Sequence, residues 1–253
     1  MHLYRSCVIA FSIYSKIPMP QFEWKDEDMK YMLCFFPWVG AAVGAAFLLW
    51  QAVCLHFGIS ELCRIFVGTA IVVLLTGGIH VDGFMDTMDA FHSYRPREKK
   101  LEILKDAHIG AFSVIMLAGY GMLWLGGLAQ ISGLQTAAVI GCSFFLARAL
   151  SGIGVVTFPP AKKDGMLQTF AETARKKRVR AILIAQAVLC AALMLYLSFA
   201  AGILALAAAA LVFVYYRYRT KKELGGVTGD TAGYFLVLCE IGMTLAAALA
   251  GVC

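Results

Sequence analysis

Apolar runs long enough to cross a bilayer recur along this chain and leave few options for its fold. A helix needs about 20 predominantly apolar residues to span the hydrocarbon core. Such runs fall at Tyr31–Cys54, Leu62–Ile79, Ala111–Ile131, Leu134–Thr157, Val179–Phe199, Ala201–Tyr216 and Ala232–Val252. The expected fold is all-α: a polytopic integral membrane helix bundle of about seven transmembrane helices, forming one domain over residues 1–253. Composition agrees, with 60% hydrophobic and 15% charged residues and a mean hydropathy of +0.76; soluble domains are about a quarter charged. The boundary between the fifth and sixth runs is the weakest. A turn at Ser198–Gly202 must separate them, and a single bent span there would leave six.

The basic residues test the count, because Lys and Arg concentrate in cytoplasmic loops. Of the 22 Lys and Arg, 20 fall before the first run, after the second, fourth and sixth, or, as Arg180 does, just inside the start of the fifth. Lys162 and Lys163 belong to the third of these clusters and Arg217–Lys222 to the last. With seven spans all the basic segments share one side, and the N-terminus is expected inside, in the cytoplasmic membrane. Six spans would put Arg217–Lys222 outside. This sidedness explains the net charge of +6 without nucleic acid. The stretch at about residues 1–29 is too short to span and mixes apolar with basic residues, which suits an interfacial segment. No small-residue cleavage site follows Cys7–Tyr14, so a secretory signal is not expected. The eight cysteines are scattered without a C-x-x-C pair and read as small hydrophobes.

Against this apolar background one acidic stretch stands out. Asp82, Asp86 and Asp89 follow Gly77-Gly78-Ile79-His80 at the mouth of the second run, spaced i, i+4, i+7. On a helix they fall within roughly a 60° arc of one face. Carboxylates so close repel one another unless a cation neutralises them. A hard divalent ion such as Mg²⁺ suits such a face, with substrate phosphates completing its shell. A solvated acidic helix start, favoured by the helix dipole, is the plainer alternative. His80 is the one histidine beside the acids and reads as a hydrogen-bonding neighbour.

Two further constellations emerge on the same side. Arg95, Arg97 and Lys105 follow the acids and could bind phosphate, Arg through its bidentate fork. Asp106 comes next, with Gly110 allowing close backbone approach at the start of the third run. Later, Gly225-Gly226-Val227-Thr228-Gly229-Asp230 precedes the last run. Gly225, Gly226 and Gly229 can turn tightly and present N–H groups to an anion, and Asp230 could join the metal site. A flexible loop ending in a helix cap is the alternative. Arg148 and Glu240 lie inside apolar runs, where charge is costly. Arg148 could reach a substrate phosphate; Glu240 could pair structurally or line a pocket.

These blocks, in order, resemble the cobalamin synthase family, the adenosylcobinamide-GDP ribazoletransferases. His80-Val81-Asp82-Gly83-Phe84-Met85-Asp86-Thr87-Met88-Asp89 is similar to its H-x-D-G-x-x-D-x-x-D signature. Phe11–Pro20, Lys105–Phe112 and Gly225–Asp230 resemble its N-terminal, K-D-x-x-I-G-x-F and G-G-x-T-G-D blocks. Two departures are Ala90, where the family usually has Gly, and Tyr234, in a region of small residues. The resemblance implies joining adenosylcobinamide-GDP to α-ribazole or its 5′-phosphate with release of GMP, using Mg²⁺. It implies Asp82, Asp86, Asp89 and Asp230 as the catalytic and metal-binding set. His80, Arg95, Arg97, Lys105, Asp106, Arg148 and the three late glycines would contact substrate.

Other classes weigh less. A CDP-alcohol phosphatidyltransferase would carry D-G-x-x-A-R, but Met85-Asp86 stands at its Ala-Arg. A membrane prenyltransferase would have a second Asp-rich motif. A cation transporter would be expected to place its acids near the membrane midplane rather than at one face. Membrane lipid is an expected partner, and a homo-oligomer or association with other cobalamin-assembly enzymes remains open.

Overall fold

A computed structural model describes residues 2–161 and 175–250. Lys162, Lys163 and the end of the last apolar run lie outside them. Among the described residues the chain is helical: α1 (His2–Tyr14), α2 (Asp26–Met29), α3 (Met32–Phe57), α4 (Glu61–Thr76), α5 (Ile79–His92), α6 (Arg97–Ile103), α7 (Ala111–Ala129), α8 (Leu134–Thr157), α9 (Lys176–Leu197), α10 (Phe199–Leu224) and α11 (Gly229–Leu249). Six of these, α3 and α7 to α11, are long and apolar enough to cross a membrane; α4 and α5 make a seventh if taken as one bent span. The chain is thus a multi-pass helical membrane protein.

The bend between α4 and α5 is what positions the site. Gly77 and Gly78 both adopt left-handed backbone, with φ of 65° and 77°. Their N–H groups donate back to Leu74 O at 3.2 Å and Val73 O at 3.1 Å, closing α4 as a glycine C-cap does. The next helix leaves at 91°. The second apolar run therefore ends at Thr76, and α5 turns away from it instead of continuing it.

The expected break between the fifth and sixth runs is present. Ser198 is extended, and its hydroxyl accepts the Ala201 N–H at the start of α10. α10 runs past Tyr216 to Leu224. Arg217, Arg219, Lys221 and Lys222 thus lie on two further helical turns, where the sequence suggested a loop. Intrinsic propensity favours this, since Arg, Lys, Glu and Leu are good helix formers.

α8 is the central element, with both faces buried. It packs on α3, where the carbonyls of Gly141 and Phe144 lie so close to Gly44 and Gly40 that a Cβ at either glycine would sit 2.1 or 2.2 Å from oxygen. Small residues let membrane helices approach in this way. The N-terminal segment is not a detached surface strip. Ile9 and Ala10 of α1 are buried in one cluster with Val155, Val156, Val179 and Leu183. Asp28 locks α1 from below, bonded to His2 Nδ1 at 3.0 Å and Arg5 Nη1 at 3.2 Å. The His2 hydrogen bond, with help from Arg5, holds the Asp28 carboxyl below its usual range.

Candidate active site

Asp82, Asp86 and Asp89 sit on the single helix α5, as their spacing requires. Asp230 occupies the first turn of α11. A capping box fixes that turn: Thr228 Oγ1 accepts the Thr231 N–H at 3.1 Å, and Thr231 Oγ1 accepts the Thr228 N–H at 2.8 Å. The two helices then cross backbone to backbone. A Cβ on Gly83 would lie 2.8 Å from Asp230 O and 3.0 Å from its Cα, and one on Gly233 would lie 2.9 Å from His80 O. Each glycine disfavours helix by ~1 kcal/mol relative to alanine. In return the crossing brings Asp230 to the acid helix. The electrostatics report the result. Asp86 is pushed up to about 6, first by burial and then by the charges of Asp82, Asp230 and Asp89. Asp82 is exposed; Asp86 and Asp230 are half-buried.

Asp89 has additional engagements. Its Oδ2 accepts the Gly110 N–H at 2.8 Å and its Oδ1 the Ser113 N–H at 2.9 Å. These are orphan donors at the start of α7, so Asp89 caps a helix from a distance in sequence. Gly110 does provide close approach, as expected, but to this carboxylate: a Cβ there would lie 2.4 Å from Asp89 Oδ1. Each oxygen keeps a further lone pair. Asp106 does not join the cluster. It is exposed and accepts both the backbone N–H of His108 at 3.0 Å and contact from its Nδ1 at 2.6 Å.

The late glycines divide. Only Gly225 has positive φ, at 75°, where it terminates α10. The Arg97 guanidinium lies against it, so close that a Cβ on Gly225 would be 2.6 Å from Arg97 Cζ. Arg97 Nη2 also donates to Ala161 O at 3.3 Å. Gly226 is small for another reason: Pro159 O would be 2.3 Å from its Cβ. Here two backbones pair, Val227 N–H to Pro159 O and Ala161 N–H to Val227 O, each at 2.9 Å. Gly229 lies inside α11 with open space around it. The three glycines thus differ in local role: Gly225 turns the chain, Gly226 admits a neighbouring stretch of backbone, and Gly229 opens α11.

Arg148 lies deep in the bundle. It is fully buried, and its Nη1 donates to Glu240 Oε1 at 2.8 Å and Phe144 O at 2.9 Å. One nitrogen of the guanidinium is thus committed to this pair inside the bundle. Its Nε and Nη2, and Nε2 of buried His80, have no partner among the described residues. His80 is stacked on Tyr14 and edge-on to Phe36, with ring centroids 6.1 and 5.8 Å away. It is a buried neighbour of the acids on α5. Arg95 and Lys105 stand exposed.

Sequence reasoning passed over a second ion cluster beside Arg97. Lys100 pairs with Glu223, and Arg219 Nη1 approaches the same carboxylate at 3.4 Å. Against the burial that raises it, the Lys100 hydrogen bond and the Arg219 charge hold the Glu223 carboxyl below its usual range. Arg219 also lies over the Phe91 ring at 5.3 Å. Together these contacts tie α6 and the end of α5 to α10. The departures fit the same packing: Ala90 is fully buried, and buried Tyr234 stacks on Phe84 and meets Phe91.

Among the described residues no three His, Cys, Asp or Glu side chains form a complete metal-holding group. What the α5–α11 crossing supplies is a crowd of hard carboxylate oxygens at the edge of solvent. Comparisons with known proteins bear on what such a site belongs to. The profile of the cobalamin-5-phosphate synthases matches residues 6–248. An adenosylcobinamide-GDP ribazoletransferase of Lachnoclostridium phytofermentans is 40% identical over 242 residues, covering 96% of this chain and 92% of its own. Proteins of the same name from Desulfitobacterium hafniense and Clostridium perfringens are 34% and 30% identical, each over 94% of both chains. No solved structure matches. With a profile match over nearly the whole chain, and relatives matched almost end to end, this protein belongs to the cobalamin-5-phosphate synthase family.

Proposed function

We propose that the chain is an adenosylcobinamide-GDP ribazoletransferase of the cytoplasmic membrane, with its site facing the cytoplasm. It joins adenosylcobinamide-GDP to α-ribazole or α-ribazole 5′-phosphate. The ribazole hydroxyl oxygen attacks the cobinamide-linked phosphorus in line. A new P–O bond forms, the P–O bond to GMP breaks, and the hydroxyl proton passes to a carboxylate or water. The products are GMP and adenosylcobalamin or its 5′-phosphate.

The observation that carries this reading is the glycine-mediated crossing that sets Asp230 against Asp82 and Asp86. These carboxylates would hold Mg²⁺, which supplies charge neutralisation for the phosphates and the leaving GMP. The incomplete protein shell suits this ion, which keeps waters and takes substrate phosphate oxygens alongside one or two carboxylates. Asp89 fixes α5 to α7 and so holds the acid face in place. Arg97, seated on Gly225, places cationic charge at the turn that precedes α11. Exposed Arg95 and Lys105 add positive field to the approach of anionic substrates.

The test is GMP release by the purified chain in liposomes, given both substrates, with Mg²⁺ titrated and then chelated. Activity should need the ion. Asp82→Ala, Asp86→Ala and Asp230→Asn should each lose at least about a hundredfold in turnover, the size of a lost electrostatic contact to the transition state. Near-normal turnover in any of the three, or in the presence of chelator, removes that residue or the ion from the scheme.

A further inference from the structure

The turn leaving α5 holds an oddity that the fold does not explain. Tyr94 is the one non-glycine residue with positive φ among the described residues, at 52°. For a bulky side chain that is an outlier. The turn itself is held by its neighbour: Ser93 Oγ donates to Ala90 O at 2.8 Å and accepts the Arg95 N–H at 3.4 Å. None of this calls for an aromatic at position 94, where glycine would sit without strain. Nor does packing call for one, since Tyr94 is 86% exposed. Strained backbone tends to persist where function uses it.

Its surroundings indicate what the ring is for. Tyr94 follows the acid helix directly, just beyond Asp89. Arg95 is next to it and exposed. Arg97 comes two residues later, with its guanidinium against Gly225 in the turn that leads to Asp230. An exposed aromatic ring at the exit of the acid helix, with Arg95 and Arg97 next along the chain, suits a ligand with a flat base and phosphates. A tyrosine anchoring the chain at the membrane interface would need neither the left-handed backbone nor this position.

We propose that Tyr94 is the stacking platform for the planar aromatic base of a nucleotide substrate. The proposal rests on the transferase reading, under which two substrates carry such a base: the guanine of adenosylcobinamide-GDP and the base of α-ribazole. Both present a π-face, and base–aromatic stacking tolerates either.

The experiment uses the full chain in liposomes as wild type, Tyr94→Phe, Tyr94→Ala and Tyr94→Gly. It reads kcat, KM for each substrate, inhibition by GMP, direct GMP binding and the thermal midpoint. Tyr94→Phe should stay within about twofold of wild type, as stacking needs only the ring. Tyr94→Ala and Tyr94→Gly should raise KM for one substrate about 5- to 150-fold, the loss of one stacked base. Weakened GMP inhibition alongside a raised KM for adenosylcobinamide-GDP assigns the guanine; unchanged inhibition with a raised ribazole KM assigns the other base. Tyr94→Gly separates stacking from structure, because its midpoint should not fall while its KM does rise. Unchanged KM for both substrates in Tyr94→Ala overturns the proposal and leaves an interface residue. So does a Phe variant as impaired as the Ala one. If wild type performs no transfer at all, the transferase reading fails; GMP binding that weakens in Tyr94→Ala but not in Tyr94→Phe would still uphold the platform.

Discussion

Replacing Gly83 by alanine should damage the reaction far more than the fold. The added Cβ would meet Asp230 O at 2.8 Å and Asp230 Cα at 3.0 Å, against the 3.4 Å at which ordinary contact begins. Both atoms are backbone, so no side chain can swing aside. Relief needs α5 and α11 to part by about 0.6 Å, the gap between the contact formed and one tolerated. Overpacking of this kind typically costs ~1–3 kcal/mol, partly offset by the ~1 kcal/mol that alanine gains over glycine in a helix. The bundle should therefore still insert and fold. The carboxylates are less forgiving, because a misplacement near 1 Å can cost roughly a hundredfold in rate. A fall in turnover of about 10- to 100-fold is expected. KM should change less, since Arg95 and Arg97 lie on neither of the two crossing helices.

The assay is steady-state GMP release in liposomes, paired with a thermal midpoint in detergent. Gly119→Ala is the control: the same substitution in α7, with nothing within 4 Å of the new Cβ. It should leave turnover unchanged and not lower the midpoint. If Gly83→Ala folds and turns over within about twofold of wild type, the crossing does not set catalytic geometry at the ångström level. If Gly119→Ala is equally damaged, the effect of Gly83→Ala is not specific to the crossing.

Other perturbations follow from single contacts. Glu240→Ala should lower stability by ~3–5 kcal/mol by stranding the buried Arg148 charge, while Arg148→Met combined with Glu240→Leu should recover most of it; denaturation in detergent reads both. If that double variant shows a raised KM for either substrate, Arg148 touches substrate after all. Asp89→Ala should cost ~0.5–2 kcal/mol through the lost α7 cap in addition to its loss of activity, whereas Asp82→Asn should lose activity alone; a midpoint unchanged in Asp89→Ala would refute the capping role. Gly78→Ala has open space for its Cβ but a φ of 77°, so it should cost ~1–2 kcal/mol from left-handed backbone alone, read as a lower midpoint.

How much of this was legible in the chain depended on how local each cause was. The spans follow from hydropathy, and the acid face from a spacing within one helix. The break at Ser198 was readable because charge sidedness demanded it. What lay beyond reach were pairings between distant segments. Asp89 meets Gly110 and Ser113 across more than 20 residues, and Arg148 meets Glu240 across 92. The spacing along the chain offers Asp89 as a metal carboxylate and the charge in an apolar run offers Arg148 as a phosphate ligand, but neither reveals these partners. The glycines show the same limit. A Gly in sequence reports that something is tight or turned, not which. At Gly225 it is a helix end under an arginine, at Gly226 a neighbouring backbone, and at Gly83 the counterpart of Asp230.

The site's position follows from a conflict that the fold resolves in two steps. Carboxylates need solvent or a cation, yet the helix that carries them must be held firmly by a membrane bundle. Had α5 continued straight from α4, the apolar run would have carried its acids further along the same axis. Instead the left-handed pair Gly77 and Gly78 turns the chain by 91°. One side of α5 can then be buried through Phe84, Met88 and Phe91 while Asp82 stays exposed. The second step brings in the distant carboxylate without a loop. Gly83 and Gly233 remove the side chains that would keep α5 and α11 apart, and the capping box fixes where α11 begins. Asp230 is placed by two rigid helices, not by a mobile segment. The crowding that lifts Asp86 to about 6 is the electrostatic counterpart of that placement: the fold holds like charges together that would separate if free.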